Sequence, residues 1–319
     1  MDLYICFTPL QSLIASQILE RSNNSAALFY YTDTDNEKNR HYFNSLSEKM
    51  KLSKYYSRKF SIILLIKLFL FAKKLRTVNT VYLASVDNQI VHYLLSYLDF
   101  NRIITFDDGT ANISYNSLFY RRIETSKFKR IIHFLFGRQY YREKVIEESL
   151  LHYSIYKNKR NIHSFVEHIP LLNTNNIATG AKNKRIKSIF LGTVYRDVAN
   201  TPRDANLLHC AVLSFLSGLD DVIYLPHPRE RNTIFEDYTL CTENIAEDVI
   251  INYLKQGFNV DVYGFGSSAQ FNILNINGIK CYVCMSNLIN PDILNLCHEI
   301  VEMGAISKNL DDLDHIEKL

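Results

Sequence analysis

The sequence has no tryptophan and only six cysteines in 319 residues. Its start, Met1-Asp2-Leu3-Tyr4-Ile5, lacks the basic and apolar regions of a secretion signal and reads instead as a first strand. The longest apolar stretch, residues 62–71, is interrupted by Lys67 and is about half the ~20 residues that span a bilayer, so no transmembrane helix is expected. The cysteines lie mostly inside apolar runs, as in a reduced cytosolic protein. Cys281-x-x-Cys284 has neither a second pair nor a His-x-x-x-His to complete a metal site, which favours core packing over metal or redox use. A G-x-x-x-x-G-K-[ST] loop is missing, so ATP or GTP hydrolysis of that kind is not indicated. No internal repeat, low-complexity tract or nucleic-acid motif is visible.

What is present is ordinary for a globular protein: 47% hydrophobic and 22% charged residues, with 21 Tyr and 19 Phe. The length favours two domains. The net charge of +3 hides a division. Residues 1–160 carry 24 basic against 14 acidic side chains, whereas 161–319 carry 12 against 19. One half is suited to meet something anionic and the other is not.

Apolar runs at 3–7, 26–31, 78–84 and 102–106 read as strands, with helical spacing between them, as in the helix starting near Pro9 with Leu10, Leu13, Ile14, Ile18 and Leu19 on one face. The polar, turn-rich span 171–186 reads as a linker between domains at 1–170 and 187–319. Alternation then resumes, with strands at 187–191, 222–225, 260–263 and 280–283 and helices at 205–216, 245–255, from 269, and 291–303. Repeated β-α alternation predicts an α/β fold with two parallel sheets, each with helices on both faces. Ligands are then expected in a cleft at the C-terminal strand ends.

Several polar clusters fall just after these strands. Asp107-Asp108-Gly109 follows the fourth, either as a strand-ending turn or as a mount for a catalytic carboxylate. Pro226-His227-Pro228 brackets an imidazole with two stiffening prolines, which suits hydrogen-bond or proton donation to a phosphate. A plain rigid loop is the alternative. Gly264-Phe265-Gly266-Ser267-Ser268 allows close backbone approach to a ligand and ends in hydroxyls that serve an anion or merely cap a helix. Gly192 and Thr193 follow the first strand of the second half, as a ligand-approach site or as a βα turn. Asp204 precedes the next helix, as a base or as its N-cap.

Asp107-Asp108-Gly109, His227-Pro228 and Ser267-Ser268, in that order and spacing, with Thr8-Pro9-Leu10-Gln11 after the first strand, resemble the motifs of bacterial sialyltransferases. The chain is most similar to the lipooligosaccharide sialyltransferases of glycosyltransferase family 52. The resemblance spans nearly the whole chain and rests on the combination, since each motif is short. It implies a GT-B-type pair of Rossmann-like domains, an acceptor-side one at 1–170 and a CMP-binding one at 187–319. It also implies inverting transfer of sialic acid from CMP-sialic acid to a terminal galactose of a lipid-linked glycan, with α-2,3 as the expected linkage. Carried over by motif, His227 assists departure of CMP, and Ser267 and Ser268 bind its phosphate. Asp107, Gly109, Gly192, Thr193, Pro228, Gly264 and Gly266 are the residues expected to line the substrates. Asp108 and Asp204 are rival bases that the sequence does not separate. Two alternatives remain: another nucleotide-sugar donor such as a glucosyl one, and a non-catalytic nucleotide- or glycan-binding protein.

A phosphate leaving group stabilised by one imidazole and hydroxyl and amide donors needs no metal or other cofactor. Asp33-Thr34-Asp35 spells a D-x-D motif but lies after an early strand and reads as a loop. Lys51, Lys54, Arg58, Lys59, Lys67, Lys73, Lys74 and Arg76 surround the 62–71 run, and Arg121, Arg122, Lys127, Lys129, Arg130, Phe134, Phe136, Arg138 and Arg142 form a second basic-aromatic region. Such segments suit an anionic membrane surface, and solvated helix faces are the plainer reading. The expected setting is the cytoplasmic side of the inner membrane, with no nucleic-acid partner. A homodimer is compatible with the sequence, which does not determine the oligomeric state.

Overall fold

The computed structural model describes residues 1–57, 59–113, 118–120, 131, 133–171, 185–230 and 234–311. The chain divides into two compact units, Met1–Leu171 and Leu172–Leu319.

The first unit holds strands β1 (Asp2–Cys6), β2 (Ala26–Tyr31), β3 (Leu52–Tyr56), β4 (Thr77–Leu83), β5 (Asp99–Phe106), β6 (Ser149–Ser154) and β7 (Val166–His168). They form one parallel sheet in the order β3-β2-β1-β4-β5-β6-β7. Every residue of β1 and β2 is buried, as expected of strands covered on both faces. Helices α1 (Pro9–Leu19), α2 (Glu37–Ser47), α3 (Ile62–Leu75), α4 (Gln89–Tyr97) and α5 (Arg142–Glu148) supply that cover. Thr8 caps α1 by accepting from the Gln11 N–H, and Pro9 sits in the first turn, where no N–H is needed. Leu64, Leu65, Leu68 and Phe71 of α3 pack on Leu3, Ile5, Phe29 and Leu83 of the sheet.

The second unit contains β8 (Ile186–Leu191), β9 (Val222–Leu225), β10 (Asn259–Gly264), β11 (Ile279–Met285) and β12 (Ile306–Asn309), parallel, in the order β12-β11-β10-β8-β9. Its main helices are α6 (Pro202–Ser217), α7 (Ala246–Lys255), α8 (Ser268–Ile273) and α9 (Pro291–Glu302). Phe190, Leu208, Val212, Phe215, Tyr224 and Phe265 form its core.

Each sheet reverses its winding once, between β1 and β4 in the first unit and between β8 and β10 in the second. Beyond the C-terminal ends of such strand pairs the connecting loops diverge and leave a crevice, the usual ligand position in open α/β sheets.

Some expectations change. Strands β3, β6, β7 and β12 are additional; β3, β7 and β12 lie at sheet edges, half-exposed or exposed, and so lack the apolar runs that marked the central strands. Helix α6 begins at Pro202 rather than Ala205, because Thr201 caps it. Strand β8 begins within the span read as a linker, and residues 172–184 of that span lie outside the described residues. Cys281 and Cys284 are buried free thiols whose pKa burial pushes up to about 12. Among the described residues no helix is long and apolar enough to cross a membrane.

Candidate active site

In the first unit, the turn after β5 places two adjacent carboxylates in opposite environments. Asp107 is 0% exposed. It accepts from His152 Nε2 (2.9 Å), Ser154 Oγ (2.8 Å) and the Ile155 N–H (2.7 Å). The His152 ring stacks on His163 (4.4 Å), and both reach Thr105 Oγ1. This side chain ties β5 to β6. Asp107, expected to line the substrates, is fully buried, and both its oxygens accept bonds from within the first unit.

Asp108 turns the other way and keeps part of its surface. Its carboxylate accepts from Gln11 Nε2 (2.6 Å) and Ser85 Oγ (2.9 Å). Gln11 is oriented by the Phe7 N–H, which donates to its Oε1 at 2.7 Å, so its Nε2 faces Ser85 and Asp108. Burial raises the Asp108 pKa; the bonds from Gln11 and Ser85 oppose the rise, and the neighbouring Asp107 adds to it. Gln11, Ser85 and Asp108 follow β1, β4 and β5, so they flank the reversal point of the first sheet. Gly109 has φ +56°, a left-handed conformation that lets the chain turn directly after Asp108.

Ser85 was missed from the sequence, although it follows a strand at the reversal point. Gln11 entered only as part of the Thr8–Gln11 motif. Its holding role became visible when β1 and β4 were seen to be neighbours.

In the second unit, the Pro-His-Pro turn follows β9. His227 donates its backbone N–H to Glu230 Oε2 (3.1 Å), and the Glu230 N–H donates back to the His227 carbonyl (2.8 Å). Tyr224 donates to Glu230 Oε1 at 2.6 Å. Burial raises the Glu230 pKa against these two bonds. Gly192 lies beside this group. A Cβ there would come within 2.5 Å of Glu230 Oε2 and of the Tyr224 hydroxyl, which explains the glycine. Thr193, next in the loop, is partly exposed, while Pro228 is exposed.

The Gly264–Ser268 loop, after β10, is closed by Gln270. Its Oε1 accepts from the N–H groups of Gly266 (3.0 Å) and Ser267 (3.1 Å), and Ser267 Oγ accepts from the Gln270 N–H. This reciprocal pair is a capping box. Ser267 is thus the N-cap of α8, and the Gly266 and Ser267 amides are engaged by Gln270; α8 is only six residues long. The hydroxyls of Ser267, half-buried, and Ser268, exposed, are the polar groups the loop presents. Gly266 has φ +75°, and a Cβ on Gly264 would crowd Gln270 and Leu191.

Asp204 is not the N-cap of α6. It sits in the first turn, partly exposed, where Thr201 Oγ1 donates to its Oδ2 (2.8 Å) while accepting from its N–H. Asp35 of the D-x-D spelling pairs with Arg40 and accepts from Tyr55, and Asp33 accepts from Tyr31. No group of three or more His, Cys, Asp or Glu side chains that would hold a metal occurs among the described residues.

The profile of glycosyltransferase family 52 matches residues 23–286. The chain belongs to this family. Similar proteins include the CMP-N-acetylneuraminate:beta-galactoside alpha-2,3-sialyltransferase of Pasteurella multocida, 31% identical over 86% of this chain and 88% of its own length. An N-acetyllactosaminide alpha-2,3-sialyltransferase of Haemophilus influenzae is 29% identical over 86% of this chain and 89% of its own length. One of Neisseria meningitidis is 24% identical over 88% and 78%. Among solved structures, a UDP-N-acetylglucosamine 2-epimerase has TM-score 0.47 at 11% identity, covering 100% of this chain and 86% of its own. The E. coli heptosyltransferase WaaC with ADP has TM-score 0.40 at 13% identity, covering 97% and 91%. The two parallel-sheet α/β units of this family 52 glycosyltransferase are those its own strand order and division into two compact units show.

Proposed function

We propose that this glycosyltransferase moves sialic acid from CMP-sialic acid to a terminal galactose of a lipooligosaccharide or related glycan, forming an α-2,3 linkage with inversion. The observation that carries this reading is the 31% identity, over 86% of the chain, to a relative named for that donor, acceptor and linkage. The first unit serves the acceptor and the second binds CMP. An Asp base, Asp108 or Asp204, takes the proton of the acceptor hydroxyl as its oxygen bonds to the anomeric carbon. The bond from that carbon to the phosphate oxygen breaks, and CMP leaves. His227 donates to the departing phosphate from its stiffened turn, and the Ser267 and Ser268 hydroxyls bind the same group. Gly192, Thr193, Gly264 and Gly266 let the donor approach the backbone, and Gly109 shapes the acceptor-side turn. Charge on the leaving phosphate is stabilised by these donors without a metal.

The two carboxylates differ in a way that assays can separate. Asp108 is held by Gln11 and Ser85 with a raised pKa, a state suited to accepting a proton. Asp204 is partly exposed and is held by Thr201 in the first turn of α6. Asp108→Asn and Asp204→Asn are nearly isosteric. The base variant is expected to lose most turnover while still binding CMP, and normal turnover in both would place the base elsewhere.

The activity itself is tested with CMP-sialic acid and lactose, with the linkage of the product determined. Sialyllactose with released CMP is the expected result, as is a rise in Tm with CMP and not with UDP. A shift with UDP alone would move the reading to another sugar donor.

A further inference from the structure

We infer that Glu230 is the positioning residue of His227, holding its imidazole as an Nε2–H donor. Its catalytic consequence rests on the reading of His227 given above, whereas its structural basis does not. The turn after β9 is closed by the carboxylate of Glu230, which accepts from the His227 N–H while the Glu230 N–H donates to the His227 carbonyl. The second oxygen is anchored by the buried Tyr224, whose hydroxyl lies 3.3 Å from that of the buried Tyr195. Gly192 leaves room for this group, since any Cβ at 192 would overlap Glu230 and Tyr224. The backbone of residue 227 is therefore fixed from two directions, by the prolines along the chain and by Glu230 across it.

The ring follows from the backbone. With the turn so closed, the Arg229 N–H points at His227 Nδ1 at 3.2 Å. A ring nitrogen that accepts from an amide carries no proton, so the proton of the neutral ring resides on Nε2. Desolvating a carboxylate is costly unless its oxygens are paired. Here one oxygen is paired with the buried Tyr224 and the other with the backbone of the candidate acid. The geometry is thus a lock on the orientation and tautomer of one imidazole.

The test uses the full chain labelled with 15N, with the His227 ring assigned by comparison with His227→Ala. At a pH where histidines are neutral, the wild type is expected to show an unprotonated Nδ1 and a protonated Nε2. Glu230→Gln keeps an acceptor for the His227 N–H and should keep that pattern. Glu230→Ala should show a mixture of tautomers. If Glu230→Ala does not fold, Tyr224→Phe removes only the anchoring hydroxyl and should shift the pattern in the same direction. A wild-type tautomer pattern in the variant that folds would overturn the inference.

Kinetics supply the second arm. Glu230→Ala is expected to lower kcat about 10-fold with less than about a threefold change in donor KM, and to add no more than about twofold in a His227→Ala background. Equal losses in both backgrounds would mean that Glu230 acts independently of His227, which also overturns the inference. Full activity of His227→Ala would instead overturn the role of His227 in transfer, and the ring spectra would still decide what Glu230 holds.

Discussion

At the scale of single residues, adjacent side chains in the sequence have opposite fates. Asp107 faces inward and is consumed by three donors, whereas Asp108 faces the strand ends and is held by two. Burial raises the Asp108 pKa, so the folded protein binds that proton more tightly than the unfolded chain does. Stability linked to Asp108 should therefore fall as pH rises from its unfolded value toward its raised folded value. Asp108→Asn should be relatively more stable than the wild type at neutral pH, with the difference shrinking in acid; thermal melts against pH measure it. His163 has the opposite sign of linkage. Burial and the neighbouring His152 lower its pKa to about 3. The unfolded chain then takes up a proton first, and stability is lost as pH falls below the usual histidine value toward 3. Urea midpoints of His163→Gln should depend less on pH over that interval than those of the wild type. At the second unit, His227→Ala should lower kcat by ~10²–10⁴, the scale of general acid catalysis, with the fold retained by circular dichroism.

At the scale of elements, three loops at strand ends are closed by a side chain from nearby in the chain. Gln11 closes the loop after β1, Glu230 the one after β9 and Gln270 the one after β10. The short motifs were legible because glycine, proline and Asp-Asp mark turns, but the residues that hold them were not. Glutamine and glutamate look like ordinary surface residues until the fold supplies their partners. Gly192 offers a direct check of the second loop. Gly192→Ala drives a methyl into Tyr224 and Glu230, and overpacking of this kind typically costs ~1–3 kcal/mol. Combining it with Tyr224→Phe, which removes one of the clashing atoms, should recover part of the lost Tm. Full wild-type stability in Gly192→Ala would show that the cradle yields.

At the scale of the whole molecule, the basic first half includes an apolar surface. Helix α3 buries Leu64, Leu65, Leu68, Phe71, Ala72 and Leu75, yet Ile62 (62%), Ile63 (60%), Ile66 (55%) and Leu70 (60%) remain exposed. Lys59, Lys73, Lys74 and Arg76 border that helix and are exposed. Phe134 (78%) and Leu135 (75%) lie in a segment tied to α4 by the Tyr97 hydroxyl, which donates to the Phe136 carbonyl. Arg138 and Arg142, expected to face the same partner, turn inward instead: Arg138 donates to Tyr140 and His92, and Arg142 is buried beside Glu143. Arg58, Arg121, Arg122, Lys127, Lys129 and Arg130 lie outside the described residues. We propose peripheral attachment to the inner membrane through the exposed face of α3, since an apolar and an electrostatic signal together suffice for stable binding. The protein should sediment with anionic vesicles at low salt, be released in part as salt rises, and bind neutral vesicles much less. Replacing Lys73, Lys74 and Arg76 with Gln should weaken sedimentation and leave transfer to lactose unchanged. Equal binding to neutral and anionic vesicles would overturn the electrostatic part.

By itself the sequence determined the α/β class, the central strands, and the strand ends at which Asp108, His227 and Ser267 would stand. Those features depend on local order, namely apolar periodicity and turn residues, which a linear reading registers. Tertiary structure alone decided the order of strands, and with it the two reversal points and the meeting of Gln11 with Ser85 and Asp108 across 74 and 97 positions of chain. It also decided that Asp107 is consumed, that Glu230 turns under His227 and that one face of α3 stays uncovered. The physical reason is the same in each case: burial and hydrogen-bond partners are set by neighbours distant in the chain, and neither composition nor spacing encodes which neighbours arrive.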